Sequence, residues 1–324
     1  ANNSPDNIII DAAIVSRARI IAPRTMMIYL VCIVLGCAIP AAFIFLKEIL
    51  NTKILEKNDI EKITKLPIIG QIPYVSPSDS QSSATFVIDS PKSPISEEFR
   101  SIRTTIEYVV QGKEKCVFSV IADSPGIGKT YISINMASIY AMYGKKTVLI
   151  GFDLRKPRIY QEFGLSNKLG VTSYLCGKAS INEVIQPSGK LPTLDVITSG
   201  PIPPNPAELI ASDRCKEFID ELKEMYDYII IDNVPAMAVA DAMIIDRFVD
   251  LTIYVVRQGN LDRRQLPDIE QLYREKKFNN MAIVLNGVSH NRSSYGYGYG
   301  YGYSYNYYYN EDKEYSVWQR RLHR

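Results

Sequence analysis

Residues 122–130 read ADSPGIGKT, the densest concentration of chemistry in the chain. Gly126 and Gly128 free the main chain to wrap around phosphate oxygens. Lys129 can reach the β- and γ-phosphates of a nucleotide, and Thr130 offers a hydroxyl to Mg²⁺. A helix starting at this point adds its aligned N–H groups. The candidate nucleotide contacts are therefore Ser124, Pro125, Gly126, Ile127, Gly128, Lys129, Thr130 and Tyr131. The pattern is G-x-x-x-x-G-K-[ST], the P-loop, with one departure: Asp123 stands at the first glycine. ATP and Mg²⁺ are the cofactors such a loop implies.

A phosphate loop needs carboxylates to hold the metal and water. Asp232 closes the run YIIID, while Asp153 follows TVLIGF and precedes Leu154, Arg155, Lys156 and Pro157. Each alone reads equally well as a solvated acid at a strand end. Together in one P-loop domain they become candidate metal ligands beside Thr130 and candidate catalytic groups beside Lys129. Histidine triads and His-rich metal sites are nearly excluded, since His290 and His323 are the only two histidines. Five cysteines (Cys32, Cys37, Cys116, Cys176 and Cys215) form no C-x-x-C pair, which suits a reducing compartment without zinc or disulfides.

These groups need a scaffold. Short apolar runs at 116–122, 147–152, 194–200, 228–232, 251–256 and 281–286 are too short for helices and rich in β-branched residues. Such non-alternating runs mark strands buried on both faces of a parallel sheet. Helical stretches lie between most of them, at 130–142 and 206–224 for example. The second has a start signal, with Asn205 as cap, Pro206 in the first turn and Glu208 three residues on. The expected fold is α/β, a P-loop NTPase-type parallel sheet flanked by helices, over residues 95–292. The whole chain's 37 basic against 35 acidic residues leave a formal charge of +2, so no nucleic-acid partner is implied.

Residues 26–46 contain no charge and are long enough, at ~1.5 Å per residue, to cross a ~30 Å bilayer core. Arg17, Arg19 and Arg24 precede this run; Lys47, Lys53, Lys57, Lys62 and Lys65 follow it. Five against three leans toward a cytoplasmic C-terminal side. Residues 1–25 are then a periplasmic, membrane-proximal segment, and 47–94 a cytoplasmic stalk and linker ending in Ser/Pro-rich sequence. The chain starts at Ala1 rather than methionine, as expected of a fragment or processed chain.

Residues 293–324 form a low-complexity tail expected to be disordered. It holds Tyr295, Tyr297, Tyr299, Tyr301, Tyr303, Tyr305, Tyr307, Tyr308, Tyr309 and Tyr315, alternating with glycine at first. Alternating Gly and Tyr can also form β-rich assemblies. A flexible tail instead presents one tyrosine after another to a cleft, with an r.m.s. reach of about 20–25 Å. Its basic residues outnumber its acidic ones, five to three over 291–324. Each phosphotyrosine adds about −1.5 to −2, so a few modifications reverse its sign.

From about residue 92 to 290 the chain resembles the bacterial tyrosine autokinases of capsule and exopolysaccharide synthesis. The resemblance rests on SPGIGKT, VLIGFDLRKP, SGPIPPNPAELI, YDYIIIDNVPAMAVADA, the tyrosine-rich tail, and Glu97-x-x-Arg100-x-x-Arg103. The upstream helix and linker resemble the membrane-proximal end of the attached co-polymerase subunit. It implies Lys129 and Thr130 as nucleotide and Mg²⁺ residues, and Asp153 and Asp232 as metal-binding or base-like carboxylates. Glu97, Arg100 and Arg103 would be subunit contacts in a ring, where one tail enters a neighbour's site. The tail tyrosines would be the phosphoacceptors. A tyrosine phosphatase, polysaccharide polymerase and export proteins are implied as partners, and the inner membrane as location, with kinase domain and tail in the cytoplasm.

The chain departs from the usual family form at Gly151, where the first acid of Asp-x-Asp is expected, and at Asn233 and Val234, where Asp-x-Pro-Pro is usual. Two alternatives stay open. A partitioning or cell-division ATPase shares the core, but its signature lysine would fall at Ser124. A nucleotide-binding pseudokinase that scaffolds polysaccharide assembly would explain Gly151.

Overall fold

The apolar runs fold as strands, and two more join them. The computed structural model describes residues 25–75, 83–234, 239–278 and 280–289. Its strands are β1 (Ile68–Pro73), β2 (Cys116–Ala122), β3 (Thr147–Gly151), β4 (Ile185–Pro187), β5 (Leu194–Ile197), β6 (Tyr228–Asp232), β7 (Leu251–Arg257) and β8 (Met281–Val288). They form one sheet in the order β1-β8-β7-β2-β6-β3-β5-β4. Every pairing is parallel except that of β4 with β5.

This order places a crevice where chemistry is wanted. From β2 the chain runs to β3 and β5, returns to insert β6 beside β2, then leaves on the other side through β7 and β8. Ligands of open parallel sheets bind at such reversals, beyond the strands' C-terminal ends. The ADSPGIGKT loop leaves from the C-terminal end of β2, at that point.

The strands lack alternation because both faces are covered. Phe118, Val120 and Ala122 enter a core shared with Phe99, Ile102 and Ile106 of helix Pro94–Val109 and with helix Lys129–Met142. Val117 packs on the opposite face with Phe218 and Leu222 of helix Asp213–Met225. Ile121 meets Leu266 and Ile269 of helix Leu266–Arg274 on that face.

Parts of the segment 47–94, expected to be stalk and linker, belong to the folded unit instead. β1 is an edge strand paired with β8, and Gly70 lets it sit against Ile102: a Cβ there would meet Ile102 Cγ1 at 2.2 Å. Its six residues bury only Ile69 and Ile72, so no strong period marked it. Phe86 and Val87 are buried too. Asn135 clasps that stretch, accepting from Val87 N at 2.8 Å and donating to Ala84 O at 2.9 Å. The helix expected over 206–224 is two, Pro206–Ala211 and Asp213–Met225, parted by the extended backbone of Ser212, whose hydroxyl donates to Leu209 O at 2.6 Å. Asn205 does not cap with its side chain; its amide donates to Glu208 Oε2 at 2.6 Å.

The chain divides into two units, residues 1–52 and 53–324. The first contains helix Thr25–Ile49, whose stretch Met26–Lys47 is long and apolar enough to cross a membrane. Pro40 lies inside it, a residue that membrane helices tolerate. Residues 1–24 and the tyrosine tail lie outside the described residues.

Asn135→Ala strands the buried Val87 N–H and the Ala84 carbonyl. It should cost about 2–3 kcal/mol in urea unfolding, and an unchanged midpoint would show that residues 83–89 are not anchored there.

Candidate active site

The loop's geometry starts with two glycines that no other residue replaces easily. Gly126 and Gly128 have φ of 85° and 103°, in the left-handed region. At Gly128 a Cβ would also meet Asn286 Nδ2 at 2.1 Å. That amide donates to Ile127 O at 2.7 Å, and Arg257 Nη1 donates to Gly126 O at 2.8 Å. Because N–H and C=O of a trans peptide point oppositely, tying these two carbonyls turns the Ile127 and Gly128 N–H groups the other way. A phosphate is cradled by such groups. A cavity of about 340 Å³ lies beside the loop, lined by Pro125, Gly126, Arg257, Gln258, Gly259 and Asn260.

β6 delivers Asp232 next to the loop, in register with Val120 of β2 and Gly151 of β3. Three side chains from the start of helix Lys129–Met142 converge on its carboxylate. Lys129 Nζ lies 2.5 Å from Oδ1, Ser133 Oγ donates to Oδ1 at 3.0 Å, and Thr130 Oγ1 donates to Oδ2 at 2.8 Å. The Lys129 and Asp232 side chains are only 10% and 4% exposed. An ion pair this deep holds because its remaining lone pairs are also satisfied. Sequence reasoning missed Ser133, Arg257 and Asn286. Ser133 was in reach, four residues after Lys129 on the same helix face; the other two come from distant strands.

Asp153 stands at the neighbouring strand end, but its carboxylate does something else. Oδ1 accepts from the backbone N–H of Arg155 at 3.3 Å and of Lys156 at 3.0 Å, closing a tight turn. The structure thus brings Lys129, Thr130 and Asp232 into one hydrogen-bonded cluster and sets Asp153 just outside it. Ser199 explains the room at Gly151. Its hydroxyl donates to Gly151 O at 2.7 Å, and a Cβ at 151 would press on that hydroxyl at 3.1 Å.

The other expected residues are distributed differently. Tyr131 packs edge-on against Phe99 rather than joining the loop's polar groups, with ring centroids 6.0 Å apart. Burial raises its phenol's pKa above the ordinary range. At the loop's first position, Asp123 Oδ2 accepts from Ser124 Oγ at 3.1 Å, while its Oδ1 is buried without a hydrogen-bond partner among the described residues. Glu97, Arg100 and Arg103 lie along helix Pro94–Val109. Arg100 pairs with Glu97 and donates to Pro91 O at 2.7 Å, and Arg103 sits 4.1 Å over the Tyr143 ring. Burial pushes the Cys116 and Cys215 thiols up to about 12, so neither is a nucleophile at neutral pH.

A family model described as an AAA domain matches residues 115–249. The chain is 38% identical over 207 residues to the tyrosine-protein kinase YwqD of Bacillus subtilis, covering 64% of this chain and 87% of that one. The chain belongs to the bacterial tyrosine-protein kinase family. The solved kinase domain of the Escherichia coli tyrosine kinase ETK superposes with a TM-score of 0.68 at 30% identity, covering 77% of this chain and all of that domain. A putative tyrosine-protein kinase in the cps region of Klebsiella pneumoniae is 28% identical over 292 residues, 86% of this chain. This kinase chain spans only 40% of the Klebsiella protein's length. Membership of the kinase family removes the partitioning-ATPase alternative.

Lys129→Met leaves Asp232 buried with one charge partner fewer and should lower stability by about 3 kcal/mol. Adding Asp232→Asn should recover part of that loss, with a coupling of about 1–3 kcal/mol in a double-mutant cycle of urea midpoints. Additive losses would mean that the pair is not coupled.

Proposed function

We propose that this chain is an ATP-dependent protein-tyrosine autokinase whose acceptors are the tyrosines of its own tail, offered in trans within a ring. The observation that carries the reading is the convergence of Lys129, Thr130 and Ser133 on Asp232 beside a glycine loop with tethered carbonyls. In this reading the β- and γ-phosphates of ATP lie in the loop, against the N–H groups of Ile127 and Gly128. The base and sugar extend toward the cavity at Arg257–Asn260.

Lys129 then leaves Asp232 for the phosphates. The donor set fits Mg²⁺: a hydroxyl and a carboxylate oxygen 2.8 Å apart, from Thr130 and Asp232, are the hard ligands this ion takes. Held by Thr130 and Asp232, Mg²⁺ would neutralise charge on the transferring phosphates. A tail tyrosine enters from the Asp153 side. Its phenol oxygen bonds to the γ-phosphorus as the bond to the ADP oxygen breaks. ADP departs with that electron pair, and Asp153 accepts the phenolic proton. A loose transition state asks little of the nucleophile, so one carboxylate serves where the family usually carries two.

Residues 26–46 then anchor the protein in the inner membrane with the kinase side in the cytoplasm, where ATP is. Glu97, Arg100 and Arg103 lie at the subunit boundary of the ring. The cps-region description of the Klebsiella relative supports a role in regulating capsule or exopolysaccharide polymerisation and export. A polymerase, export proteins and an opposing tyrosine phosphatase are the partners this role implies.

Gly151 favours a second reading, a nucleotide-binding scaffold that transfers no phosphate. Intact-mass analysis separates the two. Incubation with Mg²⁺ and ATP should add phosphates to the wild-type tail and none to Lys129→Met, and Asp153→Asn should slow transfer by about 10- to 100-fold. Nucleotide binding with an unmodified wild-type tail would leave the scaffold.

A further inference from the structure

The loop after Asp153 carries exposed cations that the transfer reaction does not use. Arg155, Lys156 and Arg158 are all exposed, between Asp153 and helix Ile159–Phe163. The turn closed by Asp153 Oδ1 on the Arg155 and Lys156 N–H groups fixes where these side chains start, next to the carboxylate. A second surface adjoins it. Ser199 Oγ reaches Gly151 O and Asp153 O at 2.7 and 3.3 Å, tying to this turn the loop that carries Ile202, which is 64% exposed. Thr172 Oγ1 holds that loop by donating to Pro201 O at 2.9 Å. An exposed apolar side chain and three cations therefore flank the strand end where the acceptor tyrosine enters.

The tail has a matching segment. Its alternating part, 295–309, is without charge, and its acids fall together as Glu311, Asp312 and Glu314. Tyr309 lies two residues before this acidic group and Tyr315 directly after it. An extended chain spans about 3.3–3.6 Å per residue, so two residues cover ~7 Å. Arg155 follows Asp153 by two residues within the turn, so its side chain starts no farther than that from the carboxylate. A carboxylate resting on the basic turn would leave a tyrosine one or two residues away beside Asp153, on the side of the loop that carries exposed Ile202.

We propose that the Arg155–Lys156–Arg158 turn selects among the tail tyrosines by holding the acidic segment 311–314 of a second copy, so that Tyr309 and Tyr315 are phosphorylated before Tyr295–Tyr305. The inference rests on the autokinase reading and adds to it an order of modification. Exposed ion pairs are individually weak, so the preference is kinetic and salt-sensitive. Three of them acting together bias the early ratio by about 5- to 10-fold at low ionic strength.

The test uses the full chain, dephosphorylated and then pulsed with Mg²⁺ and ATP, with site-resolved phosphopeptides quantified over time. The readout is the early ratio of phosphate on Tyr309 and Tyr315 to that on Tyr295 and Tyr297. Wild type should give about 5 or more at low salt, falling toward 1 at about 1 M salt, where screening acts within ~3 Å. The triple variant Arg155→Ala, Lys156→Ala, Arg158→Ala should bring the ratio to about 1. So should the tail variant Glu311→Gln, Asp312→Asn, Glu314→Gln, which leaves the kinase domain's sequence untouched. A wild-type ratio near 1, or one that the tail variant does not move, overturns the proposal while the autokinase reading stands. No phosphate on any tail tyrosine overturns both.

Discussion

A carboxylate buried at the edge of a sheet has to be satisfied, and the rest of this site follows from how that is done. Asp232 is 3% exposed, beyond the reach of bulk water, and answers to Lys129, Thr130 and Ser133. All three come from the first five residues of one helix, so the helix can only start where Asp232 ends its strand. That fixes the preceding loop against β7 and β8, whose Arg257 and Asn286 take its carbonyls. The pair also stores the next step. In the proposed reaction, nucleotide and metal would offer Lys129 and Asp232 new partners at once, so that binding would exchange one satisfied arrangement for another instead of stranding a charge.

The same edge is braced from the side of the domain's first residues. Ile54 N donates to Leu261 O at 3.0 Å, Gly259 N to Ile54 O at 2.7 Å, and Gln258 Nε2 to Leu55 O at 2.5 Å. These bonds hold the turn that follows Arg257 and that lines the cavity beside Gly126. Residues 53–55 are therefore part of the support of the glycine loop.

What was legible in the sequence was whatever local pattern carries. The central strands announced themselves because burial on both faces leaves few polar positions and no alternation, and the loop because glycine, lysine and threonine at that spacing have few other uses. β1 and β4 did not: one shows two buried positions in six residues, and the other has three residues in all. The docking of residues 83–89 depends on Asn135, about fifty positions away, and a Ser/Thr-rich stretch reads as linker until its anchor is seen. Asp232 was placed from its strand alone. Asp153 was found in sequence, but the direction of its carboxylate was set by the turn at Arg155 and Lys156. Arg257 and Asn286 belong to the site only through the sheet order, which no local pattern encodes.

The central claim is that Asp232 passes from Lys129 to the metal when nucleotide binds. Titration calorimetry of ATP with and without Mg²⁺, on wild type and on Asp232→Asn, tests it most directly. Wild type should bind ATP about tenfold or more tightly with Mg²⁺ present, and Asp232→Asn should lose that difference while still binding metal-free ATP. An Asp232→Asn variant that keeps the full Mg²⁺ dependence would contradict the account.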